Sequence, residues 1–388
     1  MKKRLMAAVI LFGCFFAGNK MQPTALNTDL PLSVSEKYVA ETLYLLVGSY
    51  SEGDTPGISI YGLNLQTGDF KYVSDVKAVV NPSYLTVSPD EKFVYAVNET
   101  AAGAVSAFAF DKTNGVLRFI NRQPVGGGDP CYITVDQAAT ALITANYSGG
   151  NLSVLLLEKN GSVGKLTQNI RFSPESHIHT AVFSPGEKQL WATDLGEDCI
   201  YTFEVTQKEN HFFLKQLPEK TIRLEPGSGP RHLAIHPDQN TVYCINELSG
   251  KITVFKTGET GALSPIQYIA ADTTSGTGRK GSADIHLSPD GRFLYASNRL
   301  KADGIAIFSI HPGDGRLTFA GYQPTDIHPR NFTISPNGKF LLCANRDSHT
   351  VQIFAVDSLT GQLQDTGKII SLPRPVCLKW LGKLLVND

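Results

Sequence analysis

The chain has 388 residues, 42% of them hydrophobic and 18% charged, enough apolar material to bury a large core without disulfides or a structural metal. Its 35 basic and 36 acidic residues leave a formal net charge of -1, so the basic field that duplex nucleic acid binding requires is missing and small molecules or proteins are the expected partners. Thirty-five Gly and 21 Pro, set among short runs of Val, Ile, Tyr and Phe, argue for strands and turns over helices.

The first twenty residues, "MKKRLMAAVILFGCFFAGNK", combine a basic start with a short apolar run and read as an export signal over residues 1–18. Leu11 and Gly13 ahead of Cys14 resemble a bacterial lipobox, in which the cysteine is lipidated and becomes the mature N-terminus. The apolar run is too short for a transmembrane helix. A polar tether over 19–40 and a domain over 41–388 follow, so the chain is expected to be exported, periplasmic or envelope-anchored, touching a membrane only through an N-terminal lipid. The remaining cysteines, Cys131, Cys199, Cys244, Cys343 and Cys377, are odd in number and irregularly spaced, which is no disulfide framework. Without a C-x-x-C pair or a His-x-x-x-His helix, no metal site is expected.

Beyond the tether the chain repeats. "NPSYLTVSPDEKFVYAVNE", "DPCYITVDQAATALITANY", "SHIHTAVFSPGEKQLWATDL", "GPRHLAIHPDQNTVYCINE", "GSADIHLSPDGRFLYASNR" and "HPRNFTISPNGKFLLCANR" share one pattern of strand, turn and strand ending in Asn or Asp. They recur at intervals of roughly 46 to 53 residues, a spacing expected of propeller blades. A third strand such as "ITVFKT" and a fourth such as "VLRFINRQPV" follow in each unit, and four strands make a blade. The ends supply a seventh blade: "RPVCLKWL" lacks the second strand that "ETLYLLVGSY" provides. The predicted fold is an all-β, seven-bladed β-propeller whose ring is closed by the C-terminal strand joining the N-terminal blade, with no open sheet edge.

In this register the innermost strands start at Ser83, Cys131, His179, Arg231, Ala283 and Arg330, ringing the channel mouth, and the second strands end there at Glu99, Tyr147, Leu195, Glu247, Arg299 and Arg346. Between them Ala96, Thr144, Ala192, Cys244, Ala296 and Cys343 are uniformly small, as core positions between blades require. The mouth positions stop repeating and become ionisable at His179, Arg231, Glu247, Arg299 and Arg330, as groups converging on a ligand from different blades must. Arg231 and Glu247 belong to one hairpin, whose antiparallel pairing brings them to the same end. A structural ion pair would account for those two alone. Asn98, Asn146, Asp194, Asn246, Asn298 and Asn345 recur in one register and read as turn-holding residues. Asn246 and Asn298, beside Glu247 and Arg299, are also carried as candidate substrate contacts, as is His177, which shares a strand face with His179. His232 and His286 read as satisfied strand histidines. "GTGRKG" at 276–281 has the letters of a dinucleotide fingerprint but no helix after it, leaving Arg279 and Lys280 as mouth-loop cations. The absence of a G-x-S-x-G elbow argues against a serine hydrolase.

These strings, over residues 41 to 386, resemble the seven-bladed lactonase family that includes propeller-type bacterial 6-phosphogluconolactonases and the fungal 3-carboxy-cis,cis-muconate lactonizing enzyme. The resemblance implies a cofactor-free lactone hydrolase acting on a small anionic or sugar lactone. By motif position it places the family's His, Arg, Glu and second Arg on His179, Arg231, Glu247 and Arg299. Arg299 and Arg330, as spare arginines, suit a phosphate or carboxylate on the substrate. A cycloisomerase of the muconate-lactonizing type and a non-catalytic envelope propeller are the alternative expectations.

Overall fold

A computed structural model describes residues 42–382, apart from 52–53, 209–210, 239 and 276–279. The predicted lipobox at Cys14, the tether and Arg279 lie outside the described residues. Seven antiparallel sheets, each a blade, have inner strands Pro375–Leu381, Leu85–Val87, Pro130–Val135, Ile178–Phe183, Pro230–Ile235, Ser282–Leu287 and Pro329–Ile334, numbered here as blades 1 to 7. Blade 4 carries an extra two-residue strand, Ile222–Arg223, against Cys199–Lys208. The ring closes as the repeat predicts: Pro375–Leu381 pairs with Thr42–Ser49, from Tyr44 opposite Leu381 to Ser49 opposite Pro375.

The turn joining the first two strands of a blade is built by its serine. Ser88, Ser288 and Ser335 accept the amides of Phe93, Phe293 and Phe340 at 2.9, 3.0 and 2.9 Å and donate to Asp90, Asp290 and Asn337. The S-P-[DN] letters therefore encode a hydrogen-bonded turn. Five of the seven second strands are buried throughout, as in Thr241–Asn246 and Phe340–Asn345, whereas the outermost strand Leu363–Ser371 is mostly exposed. Neighbouring blades pack face to face on those second strands: Tyr243 and Ile245 of blade 5 share a core with Leu294 and Ala296 of blade 6. Burying each large side chain of this kind contributes about 1.5–3 kcal/mol. The phenols add direction, Tyr243 donating to the Gly315 carbonyl at 2.9 Å and Tyr295 to that of Gly361 at 3.0 Å, one blade further round. The six small register positions are all fully buried.

Strand register also shows what the repeat does at the mouth. Pairing skips Cys131 (Pro130 opposite Asn146, then Tyr132 opposite Ala145), His179, Arg231 and Arg330 in the same way. Each of the four is the extra residue of a β-bulge, a device that re-aims side chains at a sheet edge. In blade 6 two residues, Ala283 and Asp284, fall between the paired Ser282 and Ile285, and in blade 1 the skipped residue is Val376.

Removing residues after Ile370 should expose the edges of Thr42–Ser49 and the inner face of blade 7, so the product is expected to aggregate or lose its cooperative melt. Calorimetry checks this, and an unchanged melting temperature would contradict closure as a source of stability.

Candidate active site

Arg231 is the bulge residue of blade 5, and its side chain turns into the channel with 2% of its surface exposed. Glu247 sits one residue past the partner strand, its backbone held by Glu247 N–H to Gly229 O at 2.7 Å and Gly281 N–H to Glu247 O at 2.9 Å. Gly281 has φ +81°, and a Cβ there would lie 2.7 Å from the Leu300 side chain, so only glycine allows this close approach. One carboxylate oxygen, Glu247 Oε2, lies 2.9 Å from Arg231 Nε and 3.0 Å from Arg299 Nη2. The Arg231 N–H is not aligned on that oxygen, which makes the first contact chiefly Coulombic. Burial alone would raise the Glu247 carboxyl, but Arg299, Arg231 and Arg330 hold it below the usual glutamate range.

The two arginines are held differently. Arg299 is fully engaged: Nε donates to Gly281 O at 2.8 Å, Nη1 meets His328 Nε2 at 3.3 Å and Nη2 reaches Glu247. Arg231 Nη1 donates to Ala283 O and to His232 Nε2, at 3.3 Å for the latter, while its Nη2 makes no contact among the described residues. His232 Nδ1 lies 2.6 Å from Asp284 Oδ1, so the ring donates to the carboxylate and accepts from the arginine. Asp284, 1% exposed, also takes His286 Nε2 at 3.0 Å, Asn331 Nδ2 and the Ile285 amide. Burial opposes its ionisation, and His286 and His232 hold its carboxyl well below the usual range.

His179 is 4% exposed, with its ring 5.1 Å from that of His232 and 5.8 Å from that of Tyr147. Its Nδ1 has no hydrogen-bond partner among the described residues. Burial, then Arg231, His232 and the other arginines, keeps it neutral, well below the usual histidine range. Arg330 completes the arc, its guanidinium 5.5 Å from the Tyr50 ring centre and without a hydrogen bond among the described residues. A cavity of about 10 Å³, lined by Ser83, Cys131, Arg231, His232 and Arg330 among others, lies in the channel, about the space for one water. A larger depression of about 970 Å³ lies between turns of blades 4 and 5, where Lys188, Glu204, Lys220 and Glu259 line it. It brings together none of the mouth residues.

The structure thus gathers Arg231, Glu247 and Arg299 in direct contact, with His179 and Arg330 beside them. It takes three candidates elsewhere. Asn246 Nδ2 bonds Lys251 O and Thr253 Oγ1, each at 3.0 Å. Asn298 bonds Ala271 O at 2.9 Å and Ser282 Oγ at 2.6 Å. Both are buried with their amides engaged inside the blade, so the turn-holding reading replaces substrate contact. His177 stacks on Tyr147 at 4.4 Å and meets its carbonyl at 3.1 Å, facing a rim depression of about 280 Å³ beside Leu195 and Leu248. Lys280 Nζ is bound by Thr274. Asp284 was missed because the repeat assigns the blade 6 mouth position to Ala283, and nothing in the letters marks a wider bulge. His232 and His286 are satisfied strand histidines, and the partner that satisfies both is Asp284.

A seven-bladed propeller with a partly buried carboxylate clamped between two guanidiniums at its channel mouth defines the class. Residues 44–380 match the family described as "Lactonase, 7-bladed beta-propeller", and the chain belongs to that family of lactone hydrolases. A 6-phosphogluconolactonase of Formosa agariphila is 37% identical over 82% of this chain and 94% of its own length. That of Bacillus subtilis is 32% identical over 87% and 98%. Among solved structures, one from Bacteroides fragilis is 44% identical with a TM-score of 0.84, covering 88% of this chain and 98% of its own. The periplasmic gluconolactonase of Pseudomonas aeruginosa is 30% identical with a TM-score of 0.83, covering 88% and 99%.

The buried histidines set a pH limit. Burial and neighbouring arginines hold His232 at about 4 and His328 at about 3, and His179 is also held low. In the unfolded chain each titrates near ~6.5. Below that value the unfolded state binds more protons, so stability falls as pH drops through the window from about 6.5 to 4, by up to about 1.4 kcal/mol per pH unit for each histidine. Melting temperatures measured across that range should be level above it and fall steeply within it. A flat profile would contradict neutral burial.

Proposed function

We propose that the chain hydrolyses a sugar lactone of the 6-phosphogluconolactone kind, with the channel mouth as its catalytic site. The observation that carries this reading is the distribution of contacts: Glu247 Oε2 takes both arginines, leaving Oε1 and Arg231 Nη2 without a partner among the described residues. An acceptor for a water proton thereby stands beside a donor for a developing oxyanion. Water attacks the ester carbonyl carbon while Glu247 Oε1 or His179 takes its proton. Arg231 stabilises the negative charge on the carbonyl oxygen. Collapse of the tetrahedral intermediate breaks the ring C–O bond, and the departing alkoxide takes a proton to give the hydroxy acid. Arg299, with every nitrogen engaged, positions Glu247. Arg330, a cation without a hydrogen bond, suits a phosphate or carboxylate on the substrate.

The N-terminal signal and Cys14 support export with lipid attachment, and two or more acyl chains would give stable anchoring. An exported enzyme is separated from cytosolic sugar phosphates, so other sugar lactones enter its substrate range, in keeping with the periplasmic relative in Pseudomonas. Labelling with a radioactive fatty acid should mark the natural chain and not Cys14→Ala; equal labelling of both, or of neither, rejects lipidation.

For the mouth, a lactone panel with purified protein is decisive. Arg231→Met, Glu247→Gln and His179→Asn should each lower kcat/KM by on the order of 10²–10³. Asn345→Ala should instead lower the melting temperature and leave kcat/KM nearly unchanged, because its amide bonds Gln352 and Thr350 at 3.0 and 3.3 Å. Wild-type rates in all three mouth variants would move the catalytic site away from the mouth, and a wild type that opens no lactone of the panel would replace the enzyme with a binding propeller.

A further inference from the structure

The register that puts Glu247 at the rim of blade 5 puts a second glutamate, Glu99, at the rim of blade 2, across the seven-bladed ring. Glu99 is held from two sides. Its backbone exchanges hydrogen bonds with Asn81, amide to carbonyl at 3.1 Å and Asn81 Nδ2 to Glu99 O at 3.2 Å. Its Oε1 accepts the Tyr50 hydroxyl at 2.8 Å. Tyr50 is in turn covered by Arg330 at 5.5 Å, and Asn81 is tied to blade 1 by the Ser51 amide at 3.1 Å. Three blades therefore fix one carboxyl group.

The other oxygen, Glu99 Oε2, is buried and has no hydrogen-bond partner among the described residues. The same is true of the hydroxyl of Ser83, a residue 4% exposed that lines the channel cavity with Arg231 and Arg330. A buried polar atom left unpaired is costly, so a carboxylate oxygen and a hydroxyl unpaired on the same side of one channel have the chemistry of a site waiting for donors. Glu99 is acceptor-only when ionised, and Ser83 can give or take one hydrogen bond. Such a pair fits alcohol hydroxyls and repels a phosphate or carboxylate. Arg330 beside it, free of hydrogen bonds, suits the opposite kind of group.

We propose that Glu99 Oε2 and Ser83 Oγ, with Tyr50 positioning Glu99, form a hydroxyl-binding subsite facing the Arg231–Glu247–Arg299 cluster, which selects lactones carrying free hydroxyls on the ring. The inference rests on the lactone-opening reading and deepens it: the ester is handled on the blade 5 and 6 side of the mouth while the polyol edge is read on the blade 1 and 2 side. Hydroxyl recognition by a buried charged acceptor discriminates strongly, because a ring without hydroxyls leaves the acceptor unpaired.

The test compares glucono-δ-lactone with δ-valerolactone, which has the same ring and ester and no hydroxyls. The wild type should favour the hydroxylated lactone in kcat/KM. Glu99→Gln should lower the ratio of the two kcat/KM values by about 10- to 100-fold, the range for hydrogen bonds to a charged acceptor, and Ser83→Ala by about 2- to 10-fold, the range for a neutral one. Most of the change should fall in KM for glucono-δ-lactone. Tyr50→Phe should lower the ratio less, since it loosens Glu99 without removing it. Glu99→Gln keeps the side chain's shape, so a folded variant is available for measurement. Equal losses on both lactones, or none on either, would overturn the subsite while leaving lactone opening intact. If the wild type opens neither of these uncharged lactones, calorimetric binding of methyl glucoside decides the subsite: tighter binding by wild type than by Glu99→Gln supports it, and equal binding or none overturns it.

Discussion

A β-bulge at the start of six of the seven inner strands is the constraint on which the mouth depends. A regular strand alternates its side chains, so consecutive residues cannot both face the channel. The bulges at His179, Arg231 and Arg330 suspend that rule at one level of the ring. Arg231 and His232 then contact each other at 3.3 Å although they are neighbours in sequence. The wider bulge in blade 6 brings in Asp284. Below this level the inner and second strands return to regular pairing and the blades pack as a conventional apolar core. The ionisable groups of the mouth thus occupy a layer about one residue deep.

Within that layer, the buried charges on the blade 5 and 6 side are paired with one another. Glu247 faces two guanidiniums with one carboxylate, and Asp284 supports the first of them through His232. Desolvation makes every charge here costly to bury, and the loss of one partner would strand the other. The same desolvation raises the strength of each contact and keeps the histidines neutral. The hydrogen-bonded run from Asp284 through His232 to Arg231 has only one consistent arrangement of protons, with Arg231 as the donor at its upper end. That fixes the guanidinium plane before any substrate arrives, which is the condition for electrostatic preorganisation.

Much of this was legible in the letters, for local reasons. The S-P-[DN] turns announce themselves because their hydrogen bonds span five residues or fewer, and the seven-fold ring follows from their spacing. Arg231 and Glu247 could be paired because one hairpin contains both. Asp284 could not be found, since the repeat gives the blade 6 mouth position to Ala283 and puts Asp284 one residue further, in the register of His232 and Asn331. Asn246 and Asn298 misled as ligand contacts because a strand-end asparagine is equally suited to a turn and to a substrate, and only burial separates the two. The partners of Glu99 were hidden for another reason: Tyr50 and Arg330 reach it from blades 1 and 7, across the seam where the two ends of the ring meet.

That seam has a geometric consequence. Second strands run toward the mouth and inner strands away from it, so the blade 1 pair, Thr42–Ser49 beside Pro375–Leu381, begins and ends at the far face. Thr42 and Gly382 therefore both emerge on the side of the disc opposite the reactive groups. A chain tethered through its N-terminal segment would stand on its blind face, with the opening turned outward to the aqueous phase. Solutes would reach it by diffusion from the bulk, unobstructed by the surface that holds the protein in place.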